Sequence, residues 1–137
     1  MQVKISTTTG NQIKKLIDSI PEFDSTSIEE IQKRIRGSKA TLFSINDTSE
    51  IAGFIVAYEE SPKVYYNWLT GVLPDYRGKS IASELFAAIE GYAKQKGYET
   101  CRVKSMNKFG AMLGLLDKRN YKLVGRAEEK LIFEKNI

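Results

Sequence analysis

A chain of 137 residues is long enough for one domain with its own hydrophobic core. Hydrophobic residues make up 42% and charged residues 28%, as in soluble globular proteins. The net charge of +4 suits an anionic ligand. It does not require a nucleic acid partner, because the basic residues are spread along the chain. With no histidine and a single cysteine, we expect neither a metal site nor a Ser-His-Asp triad.

The first residues, MQVKISTTTG, lack the apolar core of a signal peptide. No apolar run in the sequence is long enough to cross a membrane. The single cysteine, Cys101, cannot form an internal disulfide, which fits a reducing compartment. We therefore expect a cytoplasmic protein with no membrane partner.

The first half of the chain contains strand patterns on both sides of a helix pair. QVKIS (2–6) alternates and is β-branched, which predicts a strand. Apolar residues then recur at helical spacing until Pro21. Ser27 and Glu30 form a capping-box pattern before a second helix, which Gly37 is expected to stop. Three strand patterns follow: ATLFSI (40–45), IAGFIVAY (51–58) and VYYNWLTGVL (64–73).

The apolar period changes in the second half of the chain, which predicts a helix from near Arg77 to near Gly97. ETCRVKS (99–105) predicts a strand, and a further helical pattern follows up to Asn120, a residue able to close a helix in the left-handed conformation. Two strand patterns end the sequence: YKLVGRA (121–127) and EKLIFEK (129–135). The order β-α-α-β-β-β-α-β-α-β-β predicts one mixed α/β domain over residues 1–137.

The segment PDYRGKSIA (74–82) contains the Gly-Lys-Ser that ends a triphosphate-binding loop. That loop needs a glycine where this chain has Leu73, and Pro74 removes a backbone donor within it. A helix start that binds a pyrophosphate needs less: free N–H groups, with Arg77 and Lys79 adding positive charge. An ordinary helix start with solvated basic residues also fits the spacing.

The residues around this segment resemble the acetyl-CoA loop of the GNAT acyltransferase superfamily. The family pattern is Arg/Gln-x-x-Gly-x-Gly/Ala after a strand that ends in Val-x-Pro, and Val72-x-Pro74 matches the strand end. The loop pattern falls on three residues: Arg77, Ser80 and Ala82. The strand order, the N-terminal helix pair and the stretch NKFGAMLGLLDKRNYKLVG (107–125) are also similar to the family. This resemblance implies a GNAT-like fold with acetyl-CoA as cosubstrate, bound where strands 64–73 and 99–105 splay apart.

The resemblance also implies roles for individual residues. Backbone groups near Val72 and Leu73 would bind the pantetheine arm, and Asn107 resembles an asparagine that contacts the same arm. The pyrophosphate would lie against the backbone N–H groups of six consecutive residues: Arg77, Gly78, Lys79, Ser80, Ile81 and Ala82.

Three features depart from the family pattern. Ser80 stands where glycine is usual, and its side chain either crowds the pyrophosphate or adds a donor. Leu116 stands where many members carry a tyrosine that protonates the leaving thiolate, so the sequence shows no obvious general acid in this chain. Asn120-Tyr121 replaces Gly-Phe, which is a mild change because asparagine tolerates the left-handed conformation.

An amine acceptor is mostly protonated at neutral pH and must lose a proton before it attacks the thioester. Glu59 and Glu60 are the nearest carboxylates, in the turn before the strand that leads to the loop. Tyr66 is about as far from Arg77 as the glutamate base of some family members. We name Glu60 and Tyr66 as candidate catalytic residues, with a solvated hairpin pair and a core tyrosine as the alternatives.

The leading hypothesis is an N-acetyltransferase. It would transfer an acetyl group from acetyl-CoA to a primary amine of a small molecule or peptide, by direct attack in a ternary complex. The alternative is a non-catalytic acyl-CoA-binding module of the same fold, which Leu116 and Ser80 favour. We expect no nucleic acid partner, and an edge strand near the C-terminus could pair two copies in a homodimer.

Overall fold

The computed structural model describes residues 2–36 and 39–137, so the predicted helix stop at Gly37 lies outside the described residues. The helices are α1 (Gly10–Asp18), α2 (Ile28–Ile35), α3 (Ile81–Gln95) and α4 (Gly110–Lys118). The strands are β1 (Val3–Thr7), β2 (Thr41–Asp47), β3 (Glu50–Ser61), β4 (Val64–Val72), β5 (Thr100–Ser105), β6 (Lys122–Ala127) and β7 (Lys130–Asn136). The order along the chain is the predicted one, which confirms the mixed α/β fold class.

The strands of the described chain form one seven-stranded sheet in the order β1-β2-β3-β4-β5-β7-β6. Neighbours are antiparallel except β4 and β5, which are parallel. A parallel pair needs a crossover connection, and α3 supplies it. The carboxyl ends of β4 and β5 therefore lie at the same edge of the sheet as the start of α3.

Each face of the sheet has its own hydrophobic core. The face on the side of α3 and α4 has these fully buried side chains: Phe43, Ile55, Phe86, Ile89 and Leu116. The face on the side of α1 and α2 has these: Ile13, Ile31 and Phe54, with Leu42 almost as deeply buried. Successive residues of a strand point to opposite faces, so β2 and β3 contribute to both cores.

Local backbone signals fix where α2 begins and where α4 ends. The Ser27 hydroxyl accepts a hydrogen bond from the N–H of Glu30 (3.2 Å), as the capping-box pattern predicts. Asn120 follows α4 with a φ of 69°, and the N–H of Tyr121 then donates to the carbonyl of Leu116 (2.9 Å). The left-handed Asn120 confirms the prediction made from its residue type.

The start of α3 differs from the prediction. The sequence pattern places it near Arg77, whereas the helix begins at Ile81. Pro74–Tyr76 forms a single 3-10 turn, and Gly78 and Ser80 then have positive φ values of 77° and 62°, which a right-handed helix does not accommodate. Residues 77–80, which we call the α3 loop, therefore separate the turn from the helix.

A buried ionic cluster joins α3 to the end of α4 and to β7. Glu90 is 9% exposed, and its carboxylate accepts hydrogen bonds from Arg119 (2.7 Å), Tyr121 (2.9 Å) and Lys135 (2.9 Å). Burial acts to raise the pKa of Glu90, but the hydrogen bonds from these donors outweigh burial, so the pKa lies below its usual value. Glu90 is therefore charged at neutral pH and ties three elements together.

The described residues contain neither a membrane-crossing helix nor a metal-ligand cluster. None of their helices is both long and apolar enough to span a bilayer. No three His, Cys, Asp or Glu side chains among them lie together in a way that could hold a metal ion.

Cys101 is buried, and burial raises the pKa of its thiol to about 12, so it stays protonated at neutral pH.

β6 forms one edge of the sheet. Leu123 and Val124 on this strand are both 55% exposed. An edge strand with exposed apolar side chains can pair with another chain. A homodimer through β6 stays a prediction, which sedimentation equilibrium would test.

Candidate functional site

The parallel pairing of β4 with β5 covers only part of each strand. It ends where Asn67 lies opposite Val103, whereas β4 continues to Val72. Beyond this point β4 remains paired with β3, and β5 remains paired with β7. Residues 68–72 of β4 and residues 104–105 of β5 are therefore not paired with each other, and we call this unpaired end of the two strands the cleft.

A β-bulge in β4 marks the point where the two strands part. Ala57 of β3 pairs with Asn67 and Val56 pairs with Leu69, so Trp68 is an extra residue. Trp68 and Leu69 consequently both pack on the core beneath α1 and α2. A bulge bends its strand and increases the local twist, which accounts for the divergence of β4 from β5.

Alternate backbone groups of β4 point into the cleft. The N–H of Leu73 donates to the Ala52 carbonyl (2.9 Å), so the antiparallel pattern points the N–H and C=O groups of Val72 and Thr70 away from β3. Val72 is thus free to offer its N–H to a ligand in the cleft. Leu73 is less suited to that role, because its N–H is already bonded and its carbonyl accepts from the N–H of Tyr76 (2.9 Å).

A glycine that the sequence patterns did not indicate sets the position of α3. A Cβ built on Gly53 of β3 would lie 2.5 Å from Cγ2 of Ile81, so the first residue of α3 packs directly on the strand backbone. Gly53 pairs with Val72, which places the helix start beside the end of β4. A glycine inside a strand pattern is the signal that could have revealed this close approach.

The α3 loop reaches the helix through two left-handed residues. Gly78 has a φ of 77°, and apart from its own atoms and its two chain neighbours no described residue lies within 4 Å of the place where its Cβ would be. Ser80 is exposed and has a φ of 62° and a ψ of 17°. The left-handed region costs a residue with a side chain about 1–2 kcal/mol, which explains why glycine suits the position of Ser80.

We expect Ser80→Gly to raise the free energy of unfolding by about 1 kcal/mol. Glycine adopts the left-handed conformation without the steric cost, which exceeds the extra chain entropy that glycine loses on folding. Urea denaturation measures the change. Ser83→Gly, inside α3, is a matched control that should instead destabilise the protein by about 0.5 kcal/mol. Equal losses in the two variants would contradict the strain assigned to Ser80.

The first turn of α3 leaves three backbone N–H groups without helical partners. The first hydrogen bond of the helix runs from the N–H of Glu84 to the carbonyl of Ser80 (3.1 Å), so the N–H groups of Ile81, Ala82 and Ser83 precede it. They point out of the helix end, where the macrodipole adds positive potential. The helix start beside the cleft can therefore bind an anion.

The two basic residues of the α3 loop have different surroundings. Arg77 donates two hydrogen bonds to the Glu22 carboxylate (2.7 and 2.8 Å), and its Nε donates to the Val72 carbonyl (3.0 Å). The side-chain hydrogen bonds between them raise the pKa of Arg77 and lower that of Glu22. Lys79 is exposed, with its Nζ 5.6 Å from the centre of the Tyr76 ring. Arg77 thus joins the α3 loop to the segment between α1 and α2.

Asn107 and Leu116, two further residues of interest in the sequence, lie in different places. Asn107 is exposed in the turn that follows β5, at the edge of the sheet where the cleft opens. Leu116 is fully buried in the core beneath α3 and α4, where its apolar side chain cannot supply a proton. Val72, the α3 loop and the turn of Asn107 therefore share one edge of the sheet.

Tyr65 and Tyr66 point to opposite faces of β4, as strand geometry requires. Tyr65 belongs to the core beneath α3, whereas Tyr66 packs edge-on against Tyr58 (5.5 Å between ring centres). Tyr58 also contacts Trp68 (6.1 Å between ring centres), and we call Tyr58, Tyr66 and Trp68 the aromatic cluster. Arg34 of α2 lies over it, 4.8 Å from the centre of the Trp68 ring, and donates to the Tyr58 hydroxyl (3.2 Å).

Arg102 connects Glu60 to the aromatic cluster. Arg102 of β5 is opposite Tyr66 in the sheet and forms ion pairs with Glu60 and with Glu134 (2.7 Å). Burial is the main cause that raises the pKa of Tyr66 to about 12, with smaller contributions from Tyr58 and Glu60. At neutral pH Tyr66 therefore keeps its proton.

These elements define an α/β domain with an anion-binding helix start at the open end of a split pair of parallel strands. The chain belongs to the Acetyltransferase (GNAT) family, whose sequence model matches residues 11–126. The match confirms the resemblance found in the sequence. No curated protein sequence matches the chain.

Solved structures of GNAT proteins align with nearly the whole chain. The PaiA N-acetyltransferase of Thermoplasma acidophilum, in complex with coenzyme A, aligns over 100% of both chains with a TM-score of 0.75 at 17% identity. The ribosomal-protein-S18-alanine N-acetyltransferase of Escherichia coli aligns over 99% of this chain and 94% of its own, with a TM-score of 0.80 at 13% identity. A GNAT family acetyltransferase of Elizabethkingia anophelis with acetyl-CoA bound aligns over 98% of both chains, with a TM-score of 0.73 at 16% identity. These alignments confirm the GNAT-like fold.

Proposed function

We propose that the protein is an N-acetyltransferase that transfers an acetyl group from acetyl-CoA to a primary amine of a small molecule or peptide. The observation that carries the proposal is the cleft between β4 and β5 next to the N-terminus of α3. Unpaired strand backbone suits an extended arm, and the helix start suits a pyrophosphate. Two aligned GNAT structures contain coenzyme A or acetyl-CoA, which supports the same ligand for this chain.

The cosubstrate would be held from both sides of the cleft. The outward N–H of Val72 would bind the pantetheine arm, with Asn107 contacting the arm from the end of β5. The backbone N–H groups of residues 78–82 would hold the pyrophosphate, and Gly78 leaves room for it. Lys79 adds positive charge at the same place, and Arg77 would add more on release from Glu22.

The chemistry requires one proton to leave the amine and one to reach the sulfur. A C–N bond forms as the amine attacks the thioester, the C–S bond breaks, and coenzyme A leaves as a thiol. Glu60 is the candidate acceptor of the amine proton, directly or through water. Tyr66, which stays protonated at neutral pH, is the candidate donor to the sulfur. The aromatic cluster and the nearby carboxylates would receive the acceptor as an ammonium group.

A thermal-shift titration followed by an amine panel tests the proposal. Acetyl-CoA that binds the folded protein raises the melting temperature. An enzyme should also release free thiol faster when polyamines, amino acids, aminoglycosides or peptide N-termini are added. No shift at millimolar acetyl-CoA would rule out both the enzyme and the non-catalytic module. A shift without thiol release across the panel would favour the module, which the buried Leu116 supports.

We expect Tyr66→Phe to lower kcat by about 100-fold while leaving the Kd of acetyl-CoA unchanged. Phenylalanine keeps the packing against Tyr58 but removes the protonated hydroxyl. Stopped assays of thiol release with a responsive amine measure kcat, and calorimetry measures Kd. Tyr98→Phe, which removes a hydroxyl bonded to Glu59 (2.8 Å) outside the cleft, is the control. An unchanged kcat in Tyr66→Phe would limit Tyr66 to a packing role.

A further inference from the structure

Asn67 is a buried polar side chain with an unused donor. It is 2% exposed, and its Oδ1 accepts a hydrogen bond from the Thr70 hydroxyl (2.9 Å). Its Nδ2 has no hydrogen-bond partner among the described residues. A buried amide donor without an acceptor is unfavourable, so nearly all such groups in folded proteins are paired. The unused donor therefore favours a ligand that brings an acceptor to Asn67.

Asn67 stands at the closed end of the cleft. It is the last residue of β4 that pairs with β5, opposite Val103, and the bulge residue Trp68 follows it. Its partner on β3 is Ala57, which belongs to the core beneath α3, so the amide lies on the α3 face of the sheet. The hydrogen bond from the Thr70 hydroxyl, three residues further along β4, fixes the amide oxygen and so holds the amide group beside the closed end of the cleft.

The two ends of the cleft differ in chemistry. The open end lies at the free N–H groups of α3, which suit a pyrophosphate. Residues 68–72 span about 16 Å of β4 from the open end to the closed end. A ligand anchored by its phosphates at α3 therefore brings its far end to Asn67. In acetyl-CoA the far end is the thioester, whose carbonyl oxygen is a hydrogen-bond acceptor.

We propose that Nδ2 of Asn67 donates a hydrogen bond to the carbonyl oxygen of the thioester, which makes Asn67 a catalytic residue. The inference rests on the proposed acetyl transfer and adds a residue to it. Negative charge develops on this oxygen as the amine nitrogen attacks the carbonyl carbon, and the charge is lost again when the C–S bond breaks and the sulfur leaves. A donor fixed by burial and by Thr70 stabilises that charge more than it stabilises the neutral carbonyl.

The test compares acetyl-CoA with coenzyme A, which lacks the acyl group. Calorimetric titration of the wild type and of Asn67→Leu gives a Kd for each ligand. Leucine has a similar shape to asparagine and removes the donor without burying a new polar group. We expect Asn67→Leu to bind coenzyme A as the wild type does and to lose about fivefold in affinity for acetyl-CoA. With a responsive amine, kcat should fall by about 100-fold, as when a single oxyanion donor is removed.

A second variant and a control separate this role from a structural one. Asn67→Val, a residue suited to strands, should reproduce the result. Ser44→Ala removes another buried polar side chain, in β2, and should leave both Kd values unchanged. If both Asn67 variants keep the wild-type ratio of the Kd of acetyl-CoA to the Kd of coenzyme A, the inference is overturned and the proposed function still stands. If the wild type binds neither ligand, the proposed function fails and this inference fails with it.

Discussion

Ala82→Glu should weaken coenzyme A binding by about 100-fold without unfolding the protein. Ala82 is the second residue of α3 and half-buried, beside the free N–H groups of the first turn. A glutamate at this position is favourable for the helix, because its charge complements the macrodipole. The same charge repels a pyrophosphate at short range. Calorimetric titration measures the Kd of coenzyme A, and the melting temperature reports whether the fold is intact.

Two controls isolate the electrostatic cause of the Ala82→Glu effect. Ala87→Glu introduces the same charge at an exposed position further along α3 and should leave the Kd of coenzyme A unchanged. S-acetylpantetheine lacks the pyrophosphate and should bind Ala82→Glu and the wild type equally well. Wild-type affinity of Ala82→Glu for coenzyme A would show that the pyrophosphate lies elsewhere.

Glu90→Ala should lower the free energy of unfolding by about 3 kcal/mol at neutral pH. The change leaves Arg119 and Lys135 close together without their shared carboxylate, and it removes the acceptor of the Tyr121 hydroxyl. The side chains of Arg119 and Lys135 are 22% and 23% exposed, so each can turn partly towards water. This places the cost at the low end of the range for breaking a buried ion pair.

The same cluster predicts how stability depends on pH. Glu90 has a native pKa below its unfolded value, so its contribution is fully present above the unfolded pKa and is lost as the pH falls through the native pKa. The difference in unfolding free energy between the wild type and Glu90→Ala should therefore shrink in acid. Asp18→Ala, which removes the exposed partner of Lys14, is the control and should cost less than about 0.5 kcal/mol. A difference that stays constant in acid would contradict the depressed pKa of Glu90.

Much of the fold follows from local signals in the sequence. The change of apolar period near Arg77 identified the helical crossover between β4 and β5, and residue type identified Ser27 as a cap and Asn120 as a left-handed residue. The start of α3 was predicted too early, because the α3 loop has no proline to exclude it from a helix. A positive φ at Ser80 leaves no mark in the sequence, since serine is not a residue that signals it.

The candidate site was predictable only where it depends on residues that are neighbours in the sequence. The family pattern indicated residues 77–82 as the candidate phosphate-binding segment, because a helix start is a local structure. Glu22 lies 55 residues from Arg77, and nothing in either segment indicates that they pair. The bulge at Trp68 depends on the register of β4 against β3, which the apolar period of one strand does not encode. That register places Asn67 at the closed end of the cleft.

The ion pair between Arg77 and Glu22 bears on how the two substrates would influence each other. The Arg77 N–H groups that donate to Glu22 cannot donate to a phosphate at the same time. A cosubstrate that recruits Arg77 therefore frees Glu22, which belongs to a segment that packs through Ile20 on Gly71 of β4. Thermodynamic coupling is reciprocal, so an acceptor amine that engages Glu22 would release Arg77 for the phosphate. If the two substrates bind in this way, the ion pair would make their binding cooperative, because the first substrate to bind would already have broken the contact that the second must break.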